Sequence, residues 1–550
     1  AMDQMMVLFY QHKGLTNLEG AGDKNRLPSQ HLNIRYQRMF AGAFMYAAYN
    51  HIGIGWGSVP GLTEGSPVQL NEDGSYRSGN LFGWGIAHEI GHNINQSSYT
   101  LVEVTNNYFS QISQASEGVR FSYDEVYRKV TSGTTGHSDN VFTQLALYWQ
   151  LHLAYDAGYE YQTYDNYEEL FRSIFFARVD TYARNTAAAP APEGVTLTLG
   201  KDNDQNLMRL ACAAAEKDLT DFFTRWGMVP DATTAAYAAQ FEAETRALYY
   251  GNDAARDYRF THDASATIAG QQVITDATRA AVDARTPNQV HLTLASNLDA
   301  DLLLGYEITR ITYENGTAHS QVVGFTTDSS YTDTITTLNN RAVSYQITAV
   351  DKFLNRSAAF TLPAVKISHD GSYGKELWTV TTNMVSADDT TTPGSEHDPC
   401  EPEPVSAISR VADNDKTTTY TGAVAKGNAT VTIDFHKSLA LTGFKYTVTE
   451  GTPIRQYEAQ ISTDGADWQT LAAGTFGEEE VNTVYFRNEN NDPWVCTYDA
   501  VQFRLVIKDT AGSQVSISEI DLLGPTGDNV ELLDDGIGIL AQDYRYGTAE

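Results

Sequence analysis

The chain has 550 residues and a formal net charge of −32, from 69 acidic and 37 basic side chains. This length allows three or four units that each bury a core of their own. The negative charge repels phosphate backbones and anionic lipid surfaces, so nucleic acid is not an expected partner. No apolar run approaches the ~20 residues of a membrane-spanning helix, and we expect a multidomain globular protein without such a segment.

Three cysteines occur, at Cys212, Cys400 and Cys496, which are too few for a disulfide scaffold or a cysteine-rich metal site. Cys212 lies in an alanine-rich run and is expected to be a small core residue. Cys400 and Cys496 can pair in an oxidising compartment, and the sequence leaves that pairing open.

The first informative element in chain order is a glycine-spaced segment at residues 51–62. Its pattern indicates a strand that can bind an extended substrate by backbone pairing, with Trp56 lining the cleft. A second interpretation is that the glycines only permit tight packing and that Trp56 is a core side chain. The sequence does not choose between the two.

The next element contains the pentapeptide HEIGH at residues 88–92. On an α-helix His88 and His92 project from one face, so both imidazoles can bind one cation, while Glu89 points toward the neighbouring metal-bound water. Apolar residues gather on another face of the same helix and give it a buried side. Because the pentapeptide also arises by chance, the metal site needs a third ligand to support it.

We predict Glu103 as that third ligand, because catalytic zinc takes three protein ligands and keeps one position for water. Residues 95–99 can turn the chain, after which a second helix would carry Glu103 toward the first. Asn107, one turn later, is expected to orient the ligand carboxylate or the substrate backbone. An alternative is that Glu103 ends a capping box that begins at Thr100 and binds no metal.

Zinc at this site would lower the pKa of its water from about 16 toward about 7. Glu89 would then act as the general base while the hydroxide attacks an amide carbonyl, and the cation would stabilise the oxyanion. The sequence does not identify a second donor to that oxyanion.

Further along, the spacing of apolar residues predicts a helical packing layer, and alternating patterns then predict β-sandwiches from about residue 286. Residues 387–405, rich in proline, threonine and acidic side chains, are expected to form a linker or a long loop. The final segment, residues 525–550, has no clear period and its role is left open. The predicted helices are 141–156, 168–179 and 205–226.

These residues resemble a known family, the enhancin-like gluzincin peptidases, which include bacterial mucin-degrading O-glycopeptidases. The resemblance rests on HEIGHN at 88–93 and EVTNN at 103–107. Further resemblance lies in LALYWQL at 145–151 and in KDLTDFFTRWGM at 217–228, so it covers about residues 30–245.

The resemblance implies that His88, His92 and Glu103 bind zinc and that Glu89 is the catalytic acid and base. Family members commonly act on host glycoproteins, and some require an O-linked sugar beside the cleaved bond. Mucin-like glycoprotein is therefore the implied substrate class, although the resemblance does not locate a glycan pocket.

The second half of the chain resembles two sandwich modules. Residues 286–366 are similar to a fibronectin type III-like domain, whose expected role is that of a spacer. Residues 367–524 are similar to a discoidin or coagulation-factor type C domain, a galactose-binding-like jelly roll, which implies attachment to carbohydrate. The motifs are YEITRITYENG at 306–316, YQITAVDKFLNRS at 345–357, VADNDKTTTYTG at 411–422, QISTDGADW at 460–468 and VSISEIDLLG at 515–524.

Domains of the second type often hold a structural calcium ion. The matching oxygen donors in this sequence are Asp413, Asp415, Thr418 and Glu519. An Asp-Asn pair stands here where the family usually has Asp-Gly, which departs from the calcium motif. Trp494 lies in a predicted loop, where an exposed ring can stack on a sugar.

The sequence therefore predicts a multidomain α+β protein. A mainly helical zincin-type peptidase domain (1–285) is followed by a fibronectin type III-like sandwich (286–366), a galactose-binding-like sandwich (367–524) and a tail (525–550). The predicted function is that of a secreted, periplasmic or bacterial cell-surface zinc endopeptidase for O-glycosylated, mucin-like glycoproteins. Two alternatives are an inactive glycan-binding adhesin and a zinc peptidase without a glycan requirement; an adhesin has no need of Glu89.

Overall fold

The computed structural model describes the chain in segments, and Cys400, most of the predicted linker at 387–405 and the tail at 525–550 lie outside them. The described residues are 2–29, 31–39, 43–62, 65–70, 72, 76–77, 83–115, 118–132, 136–137, 139–264, 267–283, 289–314, 317–335, 342–367, 371–373, 375, 378–389, 406–423, 428–488 and 494–524.

Helices are the main regular elements of the described chain up to residue 261. Side-chain caps fix where several of them begin: Asn140 and Asp202 each accept two backbone N–H groups in the first turn of the helix that follows. The helices are α1 (Met2–His12), α2 (Trp84–Ile94), α3 (Thr105–Ser113), α4 (Tyr123–Ser132), α5 (Val141–Tyr155), α6 (Tyr167–Ser173), α7 (Phe175–Arg184), α8 (Asn203–Ala215), α9 (Thr220–Arg225), α10 (Ala232–Ala238) and α11 (Asp253–Thr261).

The helix predicted at 141–156 is present as α5, but the other two predicted helices are each divided in two. Ile174 separates α6 from α7 with an extended backbone, because the Asp156 carboxylate accepts the N–H of Phe175 at 2.8 Å at the start of α7. Glu216 ends α8 in a left-handed conformation with φ of 50°. The apolar spacing runs through both breaks, so it does not reveal them.

A small sheet lies beside the helix that carries the two histidines. In it β3 (His51–Ile54) pairs parallel to β1 (Asn33–Tyr36) and antiparallel to β2 (Met45–Ala48), and a separate short hairpin joins β4 (Gln69–Leu70) and β5 (Tyr76–Arg77). Met45 lies next to Gly85 of α2, so the sheet flanks the amino-terminal end of that helix.

Helices α2 and α3 approach each other closely at Gly91. A Cβ atom at this position would lie 2.6 Å from Cβ and 2.7 Å from Cα of Asn106, which is closer than real carbon atoms pack. The absence of a side chain at Gly91 is therefore what allows this helix pair to form.

The second half of the chain is β-rich, as the alternating pattern predicts. The first group of strands forms one sheet in the order β10-β7-β6 and a second in the order β12-β11-β8-β9, with β13 also paired to β11. The strands are β6 (Arg279–Val282), β7 (Gln289–Thr293), β8 (Leu303–Glu314), β9 (Thr317–Thr326), β10 (Ser330–Thr334), β11 (Ala342–Asp351), β12 (Phe360–Thr361) and β13 (Val365–Lys366).

The last group of strands forms sheets in the orders β14-β16-β21-β18-β19, β20-β17-β23 and β15-β22, around one apolar core. Its inward-facing residues alternate with polar ones, as expected for a sandwich. The strands are β14 (Thr379–Thr382), β15 (Tyr420–Ala423), β16 (Ala429–Leu441), β17 (Gly443–Thr447), β18 (Ile454–Ser462), β19 (Gln469–Thr475), β20 (Val481–Tyr485), β21 (Tyr498–Thr510), β22 (Gln514–Ile517) and β23 (Glu519–Leu523).

Hydrophobic packing divides the described chain differently from the predicted boundary at residue 286. Ile268, Val273 and Ile274 already pack in the core of the first sandwich, and strand β6 at Arg279–Val282 pairs with β7. Conversely, Phe325 of the sandwich packs in the core of the helical domain. The two units thus share a packed boundary. In the described part of the chain, no helix has the length and apolar character needed to cross a membrane.

We expect Gly91→Ala to destabilise the helical domain by about 1–3 kcal/mol, because the added methyl group would push α3 away from α2. Gly85→Ala is the matched control in the same helix. Its methyl group would meet side chains and no backbone among its nearest atoms, with Met45 Sδ at 3.0 Å and Phe44 Cε2 at 3.4 Å. Alanine is favoured over glycine in a helix by about 0.5–1 kcal/mol. Denaturant unfolding of both variants measures the difference, and equal stability would contradict the tight contact.

Candidate metal centre

Helix α2 places two imidazole rings one helical turn apart on the same face. The ring centroids of His88 and His92 are 4.9 Å apart and the ring planes meet at 85°. The His88 ring is buried, whereas the His92 side chain keeps 27% of its surface exposed. One side of the ring pair therefore opens toward solvent.

The carboxylate of Glu103 reaches both rings. Its Oε2 lies 2.9 Å from Nε2 of His88, and its Oε1 lies 3.5 Å from Nε2 of His92. Within the described residues these three side chains form one of two groups whose metal-binding atoms all lie within 4.8 Å of one another. The structure thus brings the three predicted ligands together.

The arrangement of the three side chains suits binding of a shared cation better than hydrogen bonding among the side chains themselves. Although Oε2 of Glu103 is buried and close to His88, it forms no hydrogen bond of acceptable geometry. Such an orphaned oxygen is costly unless a third atom binds it. Two imidazoles and one carboxylate are also the donor set that a catalytic zinc ion takes, at about 2.0–2.2 Å from each.

Glu103 does not lie in a helix, contrary to the expectation from sequence. Helix α3 begins only at Thr105, and Glu103 sits in the preceding turn with a left-handed φ of 68°. The capping-box alternative is not formed, because the Thr100 hydroxyl donates to the Gln96 carbonyl at 2.7 Å and the Glu103 carboxylate faces the rings. The turn, rather than a helical stripe, aims the carboxylate.

The charges of these groups depend on one another. Burial raises the pKa of Glu103, but its close contacts with His88 and His92 and the charges of the two rings outweigh it and hold that pKa well below its usual range. Burial lowers the pKa of His88, yet its contacts with Glu103 and Asn107 and the nearby charge of Glu89 raise it overall. The site therefore favours an ionised carboxylate beside the rings.

Asn107 links two of the ligands. Its side chain is fully buried; Nδ2 donates to the backbone carbonyl of Glu103 at 2.6 Å, and Oδ1 lies 2.6 Å from Nδ1 of His88. The indole N–H of Trp84 also donates to Oδ1, at 3.1 Å. Asn107 therefore holds the His88 ring and the Glu103 main chain, rather than the carboxylate or a substrate backbone.

Asn106 is a neighbour of the site to which the sequence analysis gave no role. Its Nδ2 lies 3.0 Å from Nε2 of His88 and 3.1 Å from Nε2 of His92, and its Oδ1 is buried without a hydrogen-bond partner. A signal for this residue was present in EVTNN, where two adjacent asparagines follow the ligand. The pattern alone does not say which of the two touches the rings.

Glu89 is half-buried and directly follows His88 in α2, close enough for its charge to act on that ring. Its backbone carbonyl accepts from Asn93 Nδ2 at 3.3 Å. The role of Glu89 as general base stays a prediction.

The two tryptophans singled out from the sequence are both exposed. Trp56 has 74% of its surface exposed and packs edge-on against Tyr36 at 5.5 Å. This placement at the end of β3 removes the interpretation of Trp56 as a core residue. Trp494, which precedes β21, is 46% exposed.

The predicted calcium donors occupy one end of the last sandwich. The Thr418 hydroxyl donates to Asp413 Oδ2 at 2.6 Å, while Asp415 Oδ1 accepts from the backbone N–H of Thr417 at 2.9 Å. Glu519 is buried: its Oε1 lies 2.5 Å from Lys375 Nζ and its Oε2 has no hydrogen-bond partner.

Burial and the charges of Asp521 and Asp413 raise the pKa of Glu519 to about 7, against the opposing influence of Lys375. Glu519 and Asp413 are therefore near one another. Among the described residues, the three carboxylates of Asp413, Asp415 and Glu519 do not form a compact group like that at His88.

A second compact group contains His12, His152 and Asp156 in the core of the helical domain. His152 Nδ1 lies 2.8 Å from Asp156, and Arg256 pairs with Glu160 beside the same ring. Asp156 and the hydrogen bond with Glu160 outweigh the effect of burial and raise the pKa of His152 to about 9.

Burial, the largest influence on His12, lowers its pKa to about 4, and its Nδ1 lies 2.8 Å from the Tyr108 hydroxyl. Near neutral pH two cations, His152 and Arg256, thus face two anions, Asp156 and Glu160. Arg256 also lies 3.3 Å from Asp253, and these groups together form a buried ion-pair network.

The comparison with known families identifies the helical domain. Residues 2–227 match the model of the family described as Peptidase M60, enhancin and enhancin-like. This match confirms the predicted enhancin-like peptidase domain over these residues. No curated protein matches the chain.

Several similar solved structures come from Clostridium perfringens. The catalytic module of the metalloprotease ZmpA is 19% identical with a TM-score of 0.43, and the alignment covers 66% of this chain and 61% of that one. The M60 catalytic domain of ZmpC, in complex with the sialyl T antigen, is 23% identical with a TM-score of 0.42, covering 66% and 62%.

The M60 catalytic domain of ZmpB with its CBM51-1 and CBM51-2 domains is 18% identical with a TM-score of 0.43. That alignment covers 95% of this chain and 56% of that one. The chain thus spans less than two thirds of the length of each of these three structures.

The buried network predicts a pH dependence of stability. Because the folded-state pKa of His152, about 9, exceeds the unfolded value of about 6.5, its contribution to the free energy of unfolding is complete below pH 6.5 and is lost as pH rises through 9. We expect the melting temperature to fall between pH 7 and 10, and to fall less in His152→Gln. His262→Gln, which alters an exposed ring, is the control; parallel curves for wild type and His152→Gln would contradict the assignment.

Proposed function

We propose that the chain is a zinc-dependent endopeptidase for O-glycosylated, mucin-like glycoproteins, since residues 2–227 match the model of the Peptidase M60, enhancin and enhancin-like family. One observation carries the proposal. The Glu103 carboxylate converges with Nε2 of His88 and of His92, and its buried Oε2 has no hydrogen-bond partner.

In this proposal His88, His92 and Glu103 hold the metal. A bound zinc ion supplies a water of lowered pKa and a positive charge for the oxyanion. Glu89 accepts a proton from the attacking water and delivers it to the leaving amine. Asn107 keeps the His88 ring and the Glu103 turn in place while the peptide carbonyl enters from the open side of the rings.

The substrate class is proposed from the family resemblance and from the surface beside the metal centre. Tyr36 and Trp56 form an exposed aromatic pair at the end of a sheet that flanks α2. Aromatic rings of this kind stack on the apolar faces of sugars and pack against extended peptides. We propose that this pair borders the substrate cleft.

For the β-rich half we propose a fibronectin type III-like sandwich within residues 267–367 and a galactose-binding-like sandwich within residues 371–524. The two sheets, of three and five strands, support the first assignment. For the second, the exposed ring of Trp494 is the proposed carbohydrate contact. Because mucin-like substrates lie outside cells, we propose a secreted, periplasmic or cell-surface location.

We further propose that the second sandwich binds a structural calcium ion through Asp413, Asp415, Thr418 and Glu519. The support is Oε2 of Glu519, a buried carboxylate oxygen without a hydrogen-bond partner that lies near the charge of Asp413. Carboxylate, hydroxyl and carbonyl oxygens are the ligands that calcium takes.

Glu89→Ala is expected to retain zinc and to lower kcat/KM by about 10²–10⁴-fold, because only the proton transfer is removed. Glu103→Ala should instead lose zinc. Cleavage of a mucin-type glycoprotein, before and after enzymatic removal of its O-glycans, measures turnover and the glycan requirement together, and metal analysis measures zinc.

The control is Glu168→Ala, which removes an exposed carboxylate on α6 and should change neither quantity. Retained cleavage by Glu89→Ala would contradict the role of Glu89. Equal cleavage of the substrate with and without its O-glycans would indicate a zinc peptidase without a glycan requirement. Wild-type protein that binds zinc and O-glycans but cleaves nothing would favour the adhesin.

The protein is first freed of metals and reloaded with zinc. Calcium added at 100 times its dissociation constant should then stabilise the second sandwich by about 2–3 kcal/mol, which is measured as a rise in its melting temperature. Glu519→Gln should abolish this response. Glu458→Gln, which alters a partly exposed ion pair with Lys508 on the same sandwich, should retain it. An unchanged wild-type melting curve would rule out the calcium site.

A further inference from the structure

Trp84, the first residue of α2, reaches the metal centre through the side chain of Asn107. It is 6% exposed, and its indole N–H donates to Oδ1 of Asn107 at 3.1 Å. The same Oδ1 lies 2.6 Å from Nδ1 of His88, and the amide Nδ2 donates to the Glu103 carbonyl at 2.6 Å. Neither the sequence pattern nor the family match gives Trp84 a role.

These contacts allow the Asn107 amide only one orientation. An indole N–H can only donate and a backbone carbonyl can only accept, so the amide must turn its oxygen to Trp84 and its nitrogen to Glu103. The amide oxygen then also faces Nδ1 of His88, which must carry the proton. The lone pair of His88 is consequently on Nε2, the nitrogen that faces Glu103 and His92.

Asn106 does not oppose this assignment. Its Nδ2 is 3.1 Å from Nδ1 of His88 and 3.0 Å from Nε2. The in-plane directions of the two ring nitrogens diverge widely, so an atom at nearly equal distances from both lies off both directions. The Asn107 oxygen, at 2.6 Å, is the nearer of the two to Nδ1.

Trp84 itself is held firmly. Its backbone carbonyl accepts the Ser110 hydroxyl at 3.0 Å, the Arg120 guanidinium lies 4.4 Å from the ring centroid, and Phe142 packs against the ring at 5.9 Å. The indole N–H therefore points at Asn107 from a fixed position, which an orienting group requires.

We propose that Trp84 is a positioning residue that fixes, through Asn107, the ring nitrogen with which His88 binds the metal; this rests on the proposed function. Without the indole N–H only the Glu103 carbonyl still holds the amide in this orientation, so the reversed orientation becomes less costly. The amide NH₂ group would then donate to Nδ1 of His88, the ring proton would move to Nε2, and that nitrogen would lose the lone pair that a metal needs.

The test compares Trp84→Phe with Trp226→Phe. Trp226 is a buried indole whose N–H donates to an amide oxygen, that of Gln150, at 3.0 Å, so both changes remove the same kind of bond from the same domain. Competition with a chromophoric chelator measures the zinc dissociation constant of the full-length chain, and denaturant unfolding of the metal-free protein measures stability.

We expect both variants to lose similar stability, whereas only Trp84→Phe weakens zinc binding, by about 10-fold or more. A second arm adds Asn107→Asp, whose two carboxylate oxygens both accept, so that no reversed orientation exists. In that background Trp84→Phe should change the zinc dissociation constant much less. This arm distinguishes orientation of the amide from general loosening of the helix.

Equal zinc affinity of wild type and Trp84→Phe would overturn the proposal while leaving the metal centre intact. Similar losses of affinity in Trp84→Phe and Trp226→Phe would also overturn it, because the effect would then follow stability. Wild-type protein that binds no zinc would instead refute the proposed function itself.

Discussion

The close approach of α2 and α3 at Gly91 is the constraint on which the metal centre depends. HExxH supplies two ligands from one helix, but the third must come from a segment that reaches the same point in space. With Gly91 against the backbone of Asn106, the start of α3 lies close enough to α2 for the turn before it to place a carboxylate at both rings. A larger residue would separate the helices and leave the histidines without their third partner.

The same packing explains why Glu103 adopts a left-handed backbone. A non-glycine residue in this conformation costs on the order of 1–2 kcal/mol, so the surrounding contacts must offset it. Val104 and Thr105 both donate to the Leu101 carbonyl, at 3.1 and 2.9 Å, and Asn107 holds the Glu103 carbonyl. Asn107 thus stabilises one ligand through its main chain and another through its ring, and changes at this residue act on both.

The sequence predicted the parts of the site that depend on local spacing. The i, i+4 histidines follow from regular helical geometry, and the need for a third ligand such as Glu103 follows from the coordination number of zinc. Other features depend on how α2 and α3 pack against each other, which local sequence patterns do not encode. These are the start of α3 at Thr105, the positive φ of Glu103 and the contacts of Asn106 and Trp84.

The same limit applies to the fold. Helical and alternating patterns predicted a helical domain followed by sandwiches, because burial on one face is a local property. The breaks at Ile174 and Glu216 were not predicted, since Asp156, distant in sequence, caps α7 and left-handed residues leave no apolar signature. The buried network around His152 was also missed, because four charged groups that compensate one another look like ordinary surface residues in a sequence.

The first sandwich, predicted to be a spacer, packs directly against the helical domain. Tyr250 stacks on Phe325 at 3.9 Å with planes at 11°, and its hydroxyl donates to Glu307 at 2.6 Å. Arg225 of the helical domain lies 3.5 Å from the same buried carboxylate. Moving the two units apart would expose the aromatic pair and leave Glu307 without these partners. Two domains joined by a flexible linker can separate without such a loss of contacts. The first sandwich is therefore a fixed extension of the helical domain, and its orientation relative to the metal centre is set by packing.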